Sequence, residues 1–233
     1  GIHQRPEVQA FRSLWRESSN PEKCLDIIPK HLGFERDILT HLTRKPEDWV
    51  GAFRKLPNNL QLMMVHSLQS EAFNRIIAAR LEAGLTLAEP IEGDIVGLIQ
   101  DNGKIDMAKL VEVDSGILPR ISRNCRLGRL AVTASLPGGE SRYTESKPGE
   151  IERKVISEMG LGDEDWQVIA IPRLSSKGSR RALTVSFSDF SVEEAGEVEG
   201  DRLSDRFSEG PREGEVWHSD GCSIRLRFSL PSG

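Results

Sequence analysis

The chain has 233 residues, of which 37% are hydrophobic and 29% are charged, a composition typical of soluble globular proteins with one large core or two smaller ones. No apolar run approaches the roughly 20 residues that a membrane-spanning helix needs, which argues against such a helix. The opening GIHQRPEVQ has neither an initiator Met nor the pattern of a signal peptide, which suggests a segment of a longer protein. Three widely spaced cysteines, Cys24, Cys125 and Cys222, fit neither a disulfide framework nor a zinc site and indicate a reducing compartment, the cytoplasm.

The net charge of −5 is unevenly distributed along the chain. Residues 191–220 contain ten acidic residues and three arginines, a balance of −7, which leaves +2 for all other residues. A partner that carries phosphates is compatible with this mildly basic remainder. The acidic segment is rich in Gly, Ser and Glu, and we predict that much of it is mobile.

The first 56 residues predict four short helices joined by turns. Asn20 followed by Pro21 is a typical helix start, and Pro29 interrupts the second helix. Apolar residues recur at helical spacing in residues 7–17, 21–28, 34–42 and 46–53.

Three side chains in this region are candidate metal ligands, namely His31, Glu35 and His41. Their offsets of four and six residues do not place all three on one face of a helix. We therefore predict no metal site here.

The longest predicted helix runs from Pro57 to Gly84, with Asn58 as N-cap, Gln61 placed to complete a capping box and Gly84 in the left-handed conformation at its end. One face carries an apolar stripe predicted to face a core, formed by Met64, Val65, Leu68, Ala72, Phe73, Ile76 and Ala79. The other face carries polar groups with directional hydrogen bonding, namely His66, Gln69, Asn74 and Arg75. We expect these groups to tie the helix to neighbouring loops.

The second half of the chain mixes predicted strands with one clear helix, which gives an α+β fold. The helix covers residues 148–159, and Gly160 ends it. An Asn102-Gly103 turn follows the first strand and predicts a hairpin. The strands are predicted at residues 92–99, 130–136, 169–172, 183–187 and 224–230. The last two are expected to pair antiparallel, with the acidic segment as their long connecting loop.

Two groups of cations are candidates for contacts with phosphates. The first is Arg120, Arg123, Arg126 and Arg129, predicted to lie in a surface loop before a strand. The second is a basic turn with Lys177, Arg180 and Arg181. A guanidinium presents a planar fork of donors that suits a phosphate. The alternative is that these arginines pair with the many surface acids, and the sequence leaves both interpretations open.

Six stretches spread over nearly the whole chain carry a family resemblance. They are IIPKHLGFERDIL (27–39), LMMVHSLQSEAFNRIIAARLE (62–82), PIEGDIV (90–96), AVTASLPG (131–138), GSRRAL (178–183) and LRFSLPSG (226–233). Together and in this order they resemble the TruD family of tRNA pseudouridine synthases. On the long helix, the residues that match the family's motif are His66, Gln69, Phe73, Asn74 and Arg75.

The resemblance implies an isomerase that converts uridine to pseudouridine in tRNA, at tRNA position 13 in this family, without metal or cofactor and as a cytoplasmic monomer. It places residues 1–171 in the family's insertion domain, with helices over 7–84 and mixed α/β structure over 85–171. Residues 172–233 would be the C-terminal antiparallel strands of the catalytic domain's mixed sheet, with an acidic hairpin insertion at 191–220.

The family's catalytic aspartate lies in a motif resembling Gly-x-Lys-Asp-Lys/Arg-x-x-x-Thr-x-Gln, which has no counterpart in this sequence. Asp94, Asp106, Asp189 and Asp220 stand in other contexts, and we expect each to be a turn or surface acid. The resemblance therefore predicts that no catalytic residue lies in this span. Two alternatives to the enzyme are a non-catalytic RNA-binding module and a protein-interaction scaffold.

Overall fold

The computed structural model describes residues 5–193 and 225–230, and the predicted mobile acidic segment falls largely outside them. The helices are α1 (Pro6–Ser18), α2 (Pro21–Ile27), α3 (Gly33–Arg44), α4 (Trp49–Phe53), α5 (Asn58–Glu82), α6 (Leu118–Arg126) and α7 (Lys147–Glu158). The strands are β1 (Ile95–Ile99), β2 (Ile105–Glu112), β3 (Leu130–Leu136), β4 (Ser179–Ala182), β5 (Ser188–Glu193) and β6 (Arg225–Ser229). Short 3₁₀ helices cover Asp163–Trp166 and Pro172–Leu174. The predicted α+β class is confirmed.

Two compact units divide the chain by internal contacts. Unit 1 contains residues 1–58 and 189–228, and unit 2 contains residues 59–188 and 229–233. The family resemblance implies a different division, a domain boundary at residue 171, and this boundary stays a prediction.

Helices α1 to α4 of unit 1 follow the local signals in the sequence. The side chain of Asn20 accepts a hydrogen bond from the Lys23 backbone N–H, with Pro21 at the first helical position, as predicted. The short helix α4 starts at Trp49 rather than at Pro46, because the Asp48 carboxylate caps it. A small core joins α1, α2 and α3, formed by Phe11, Cys24, Ile28 and Leu39.

Helix α5 begins at Asn58, which is therefore its first residue rather than the predicted N-cap, and Gly84 just beyond its end has the predicted left-handed conformation, with a φ of 74°. The predicted apolar stripe is correct only in part. Met64 and Leu68 are exposed, whereas Phe73 and Ile76 enter the core of unit 2. The buried residues of α5 also include three polar ones spread along the helix, namely Gln61, Gln69 and Arg80.

The main sheet of unit 2 is antiparallel and has the strand order β2-β1-β3-β4. Strands β1 and β2 form the predicted hairpin, in which the Gly103 N–H donates to the Gln100 carbonyl over 2.8 Å. Strand β3 has the predicted bounds, Leu130 to Leu136. Strand β2 also approaches β4, so the sheet curls into an open trough.

Helices α5, α6 and α7 pack against this sheet. Their apolar side chains meet those of the central strands in one core, formed by Phe73, Ile76, Val96, Val113, Ile121, Val132, Ala134, Val155 and Leu183. Helix α7 ends before Gly160, which has a φ of 67° and terminates the helix as predicted.

Several strand predictions in the last third of the chain are wrong. Residues 169–172 form a turn that leads into a 3₁₀ helix, because Ile171 and Leu174 bury their side chains without a neighbouring strand. Residues 183–187 do not form the predicted strand: β4 covers Ser179–Ala182, and beyond it the Leu183 N–H donates to the Val132 carbonyl of β3 over 2.9 Å. The partner of β6 is β5, over Ser188–Glu193.

The prediction that Asp94 is a turn or surface acid is also wrong. The Asp94 side chain is buried and forms a bidentate ion pair with Arg80, with Nη1–Oδ1 and Nη2–Oδ2 distances of 2.6 and 2.8 Å. The Ile91 backbone N–H donates to the same carboxylate over 2.8 Å. This pair fixes the end of α5 to the loop that enters β1.

In the described parts of the chain, no helix is long and apolar enough to cross a membrane.

Candidate nucleic-acid interface

The arginine-rich segment is a helix, α6, and not the predicted loop. The Asp114 carboxylate starts it by accepting hydrogen bonds from the backbone N–H groups of Gly116 and Ile117, over 2.8 and 3.0 Å. Ile121 anchors the helix in the core, and Cys125 packs against the same core. Because a side chain recurs on the same side of a helix every three to four residues, this anchoring turns the arginines outward.

Four arginines therefore form an exposed strip, defined as Arg120, Arg123, Arg126 and Arg129. Arg126 lies 3.9 Å from the carboxylate of Glu89, with both side chains well exposed, so solvent weakens this ion pair. The guanidiniums of Arg120, Arg123 and Arg129 have no hydrogen-bond or ion-pair partner among the described residues. Cations that no acid neutralises are available to an anionic partner.

The second basic group lies where two loops, residues 137–141 and 175–178, come into close contact. The Gly139 N–H donates to the Ser176 carbonyl over 2.9 Å, and the Glu140 N–H donates to the Lys177 carbonyl over 3.0 Å. A Cβ atom on Gly138 would lie 2.0 Å from the backbone nitrogen of Gly178, so only glycine permits this approach. Lys177 stands at the surface of this loop pair, 3.0 Å from the Glu140 carboxylate.

Arg180 does not lie on the surface with Lys177. Its side chain is 9% exposed and pairs with Glu152, which is 5% exposed, over 2.7 Å. Its Nε donates to the Thr133 hydroxyl over 2.8 Å, and its Nη1 donates to the Arg142 carbonyl over 3.3 Å. This geometry revises the sequence-based assignment, because a guanidinium whose donors are all engaged inside the protein is not free to bind a phosphate. We remove Arg180 from the candidate contacts.

Arg181 is exposed on the opposite side of β4. Its guanidinium carbon lies 5.4 Å from the centre of the Phe73 ring, a cation–π contact that holds the side chain near α5. Strand β3 separates this region from the arginine strip: Arg129 precedes its first residue, and Lys177 lies beyond its last. Seven residues of strand place these two cations about 20 Å apart.

A groove of about 650 Å³ is lined by residues of all four strands of the main sheet. Its lining combines apolar strand residues with polar groups of the following loop, including Ile95, Leu110, Ser135, Ser141, Arg142 and Tyr143. Burial raises the pKa of the Tyr143 phenol above its usual 10.0, against an opposing effect of hydrogen bonds with Ser141 and Ser135. Arg142 is the exposed cation at this groove.

Comparison with known proteins decides the family. The model of the family described as "tRNA pseudouridine synthase D (TruD)" matches residues 2–233. The chain belongs to the TruD family. A crystal structure of the TruD protein of Methanosarcina mazei superposes with a TM-score of 0.82 at 32% identity, covering 99% of this chain and 48% of that one.

Curated relatives give the same result. The Methanosarcina acetivorans protein named "Probable tRNA pseudouridine synthase D" is 37% identical over 198 residues, which is 85% of this chain and 44% of that protein. The protein of the same name from Methanococcoides burtonii is 34% identical over 228 residues, covering 97% of this chain and 47% of its own length. The chain thus spans about half the length of the TruD relatives that it matches.

Among the residues that carry the TruD motif, Gln69 links α5 to two loops, residues 137–141 and 175–178, which together form the basic loop pair. Its amide nitrogen donates to the Pro137 carbonyl over 2.7 Å and to the Ser176 hydroxyl over 2.8 Å. This confirms for Gln69 the expectation that the helix is tied to adjoining loops. A second link, missed from the sequence, is the hydrogen bond that Arg173 Nη2 donates to the side-chain amide oxygen of Gln61 over 2.6 Å. In the sequence, Gln61 stood only as a candidate for the capping box of α5.

The other TruD motif residues have different environments. Phe73 lies in the core of unit 2, where its ring also contacts Arg181. Arg75 is exposed and pairs with Glu71 on the next turn of α5 over 2.7 Å. His66 and Asn74 are exposed, and neither side chain has a polar partner among residues 5–193 and 225–230. For these two residues, the expected loop contacts are not present there.

Several aspartates and histidines considered as chemical groups have ordinary structural contacts. Asp106 lies in β2, where it accepts from the Ala108 N–H over 3.0 Å and lies 3.4 Å from the Lys109 ammonium, and Asp220 lies outside the described residues. His41 contacts the Asp48 carboxylate over 2.8 Å, and this hydrogen bond lowers the Asp48 pKa. Within the described residues, no group of three or more His, Cys, Asp or Glu side chains is arranged to hold a metal ion.

Proposed function

We propose that the protein of which this chain is part isomerises uridine to pseudouridine in tRNA, at tRNA position 13 and in the cytoplasm. The observation that carries this proposal is the TruD family match over residues 2–233, with 37% identity to a protein of that name. The exposed arginine strip on α6 is consistent with a polyanionic substrate.

The proposed role of this chain is to hold the tRNA. Folded RNA is recognised mainly through its shape and its phosphates, which requires cations spread over a surface rather than a single pocket. Arg129 and Lys177 stand about 20 Å apart at opposite ends of β3, a spacing that spans several phosphates. The proposed contacts are Arg120, Arg123, Arg126, Arg129, Lys177 and Arg181.

The chemical step is proposed to take place on a carboxylate outside this chain. Converting uridine to its C-glycoside breaks the bond between N1 and the ribose, turns the base and joins C5 to the ribose. A covalent enzyme intermediate can hold the detached piece, and no metal or redox cofactor is required. Residues 1–171 would form the inserted domain and residues 172–233 the last part of the catalytic domain, in a monomer.

Release of the C5 hydrogen of uridine gives a direct test of this proposal. The longer protein is incubated with tRNA that carries tritium at C5 of its uridines, and released tritium is counted. We expect release by the longer protein and none above background by the 233-residue chain alone. Absence of release by the longer protein would contradict the proposed reaction.

A non-catalytic RNA-binding module is the second candidate function. The observation that favours it is the arginine strip, because Arg120, Arg123 and Arg129 have no side-chain partner among the described residues and would bind RNA whether or not a reaction follows. A longer protein that binds tRNA tightly, carries no aspartate in the family's motif and releases no tritium would support this function over the first.

A further inference from the structure

Unit 1 contains an apolar groove that the arginine strip does not involve. The groove has a volume of about 360 Å³ and runs between α1, α3 and α4. Phe11, Leu39 and Leu42 form its buried floor, with Ile38 partly exposed beside them. Trp15 and Trp49 stand at one side, and Arg12, Arg16 and Glu35 complete its lining.

Trp49 is the unusual feature of this groove. It is 57% exposed, although an indole gains most from burial and large exposed aromatic surfaces in proteins commonly mark binding sites. Its ring packs edge-to-face against Trp15, with centroids 6.5 Å apart and an interplanar angle of 74°. This contact orients Trp49 while leaving more than half of it accessible.

The surrounding structure holds Trp49 firmly in place. The carboxylate of Asp48 accepts from the Gly51 N–H over 2.8 Å and contacts His41 Nε2 of α3 over 2.8 Å. A Cβ atom on Gly51 would lie 2.2 Å from Asp48 Oδ2, so glycine is needed for this close packing. Helix α4 is thereby attached to α3, and the indole stands at a fixed point on the groove's edge.

The charges beside the groove indicate which kind of partner it would bind. Arg12 and Arg16 lie one turn apart on α1, and neither guanidinium has a hydrogen-bond or ion-pair partner within the described ranges. With Glu35 the groove carries a net charge of +1, which favours an anionic partner. Aromatic rings beside arginines are a typical surface for single-stranded nucleic acid, because bases stack on the rings while the cations follow the phosphates.

We propose that this Trp groove binds an unstacked base of single-stranded RNA. The base would stack on Trp49 and enter the apolar groove, and Arg12 and Arg16 would contact the adjoining phosphates. The volume of about 360 Å³ accommodates one base. The choice of RNA as partner rests on the proposed function, and an acidic peptide is the alternative that the experiment must separate.

The experiment measures binding of a fluorescently labelled ten-nucleotide oligouridine to the 233-residue chain by anisotropy, as a function of salt. Replacing Trp49 with Ala is expected to weaken binding about tenfold, and replacing it with Phe should restore much of the loss, because a phenyl ring also stacks. The double change Arg12→Ala and Arg16→Ala should lower the salt slope by about 1.4, since each phosphate contact to a single strand contributes about 0.7.

Matched controls on the same unit separate the groove from the general surface. Phe34→Ala removes an exposed aromatic side chain of α3 that does not line the groove, and Arg44→Ala with Lys45→Ala removes two exposed cations. Both controls should bind as the unmodified chain does. The thermal unfolding midpoint of every variant is measured, and Trp49→Phe keeps the test valid if Trp49→Ala unfolds.

Unchanged oligouridine binding by folded Trp49→Ala, or equal losses in the controls, would overturn the proposal. So would displacement of the oligonucleotide by polyglutamate with the same salt slope and the same dependence on Trp49, because this result indicates an acidic peptide site. The measurement involves no isomerisation. Suppose that the longer protein released no tritium from tRNA while oligouridine still bound through Trp49. This result would contradict the proposed function but would support RNA binding by the Trp groove.

Discussion

Arg180 on β4 and Glu152 on α7 form a buried ion pair in which Nη2 donates to Oε1 over 2.7 Å. The same carboxylate oxygen accepts from the Ser135 backbone N–H of β3 over 2.9 Å. One arginine therefore joins two strands and a helix of unit 2. A charge enclosed in this way stabilises the fold only while its partner is present.

Replacing Arg180 with Ala should lower the free energy of unfolding by about 3–5 kcal/mol, because it leaves the Glu152 carboxylate buried and unpaired. Urea denaturation at neutral pH measures the loss. Arg181→Ala is the matched control, since this neighbour is exposed, and it should cost less than about 1 kcal/mol. Equal losses in the two variants would show that the ion pair does not carry the stability assigned to it.

Replacing Gln69 with Ala should destabilise unit 2 by about 1–3 kcal/mol, because the Pro137 carbonyl and the Ser176 hydroxyl both lose a donor. Amide hydrogen exchange measures the local effect, with faster exchange expected at the N–H groups of Gly139 and Glu140 in the basic loop pair. Asn74→Ala on the exposed side of α5 is the control and should leave both exchange rates unchanged.

Replacing Arg123 with Ala should weaken tRNA binding at low salt and reduce the salt slope of the affinity by about 0.9, the contribution of one duplex phosphate contact. Anisotropy with labelled tRNA at several salt concentrations gives both values. Lys154→Ala removes an exposed cation from α7, where it pairs with Glu158, and should change neither value. A loss of affinity with an unchanged slope would argue against a phosphate contact.

Tyr143 is the single tyrosine of the chain, so phenolate absorbance reports it alone. Burial raises its pKa above 10.0 in the folded protein, and the midpoint in denaturant should return to about 10. Because the folded pKa is the higher one, this stabilising contribution is complete below pH 10.0 and is lost as the pH rises through the folded value. Equal midpoints in the two states would place Tyr143 in solvent.

Features with local signals could be predicted from the sequence. Asn20 with Pro21 specified the start of α2, and Gly84 and Gly160 specified the ends of α5 and α7, since each signal acts within a few residues. The apolar pattern likewise gave the bounds of β3. The same locality explains the failure at residues 183–187, where the alternation of apolar residues does not say which strand is available for pairing.

Features that depend on distant partners could not be predicted. The sequence predicts that Gln69 contacts a loop, but not that its partners are Pro137 and Ser176, which lie 68 and 107 positions away. Arg80 and Asp94 are buried for the same reason, because each neutralises the other. The sequence could not show α6 as a helix either, since the anchoring residue Ile121 stands among arginines.

The candidate site shows the same limit most clearly at Arg180 and Arg181. The two residues are adjacent in a basic turn and look equivalent in the sequence, and both were predicted to bind phosphate. Successive side chains of a strand point to opposite faces, so Arg180 reaches Glu152 and is buried, while Arg181 contacts the Phe73 ring and remains exposed. Only the pairing of β4 with β3 determines which arginine is free.

We propose that this chain holds the tRNA in a pseudouridine synthase whose nucleophile lies elsewhere in the protein. The most direct test measures tritium release from C5-labelled tRNA by the longer protein, by the 233-residue chain, and by the longer protein with Arg120, Arg123, Arg126 and Arg129 replaced by Ala. We expect full release by the longer protein and no release by the 233-residue chain. The longer protein with the four arginines replaced should release tritium slowly, and a high tRNA concentration should restore its rate. Release by the 233-residue chain alone, or an unchanged rate with the four arginines replaced, would contradict it.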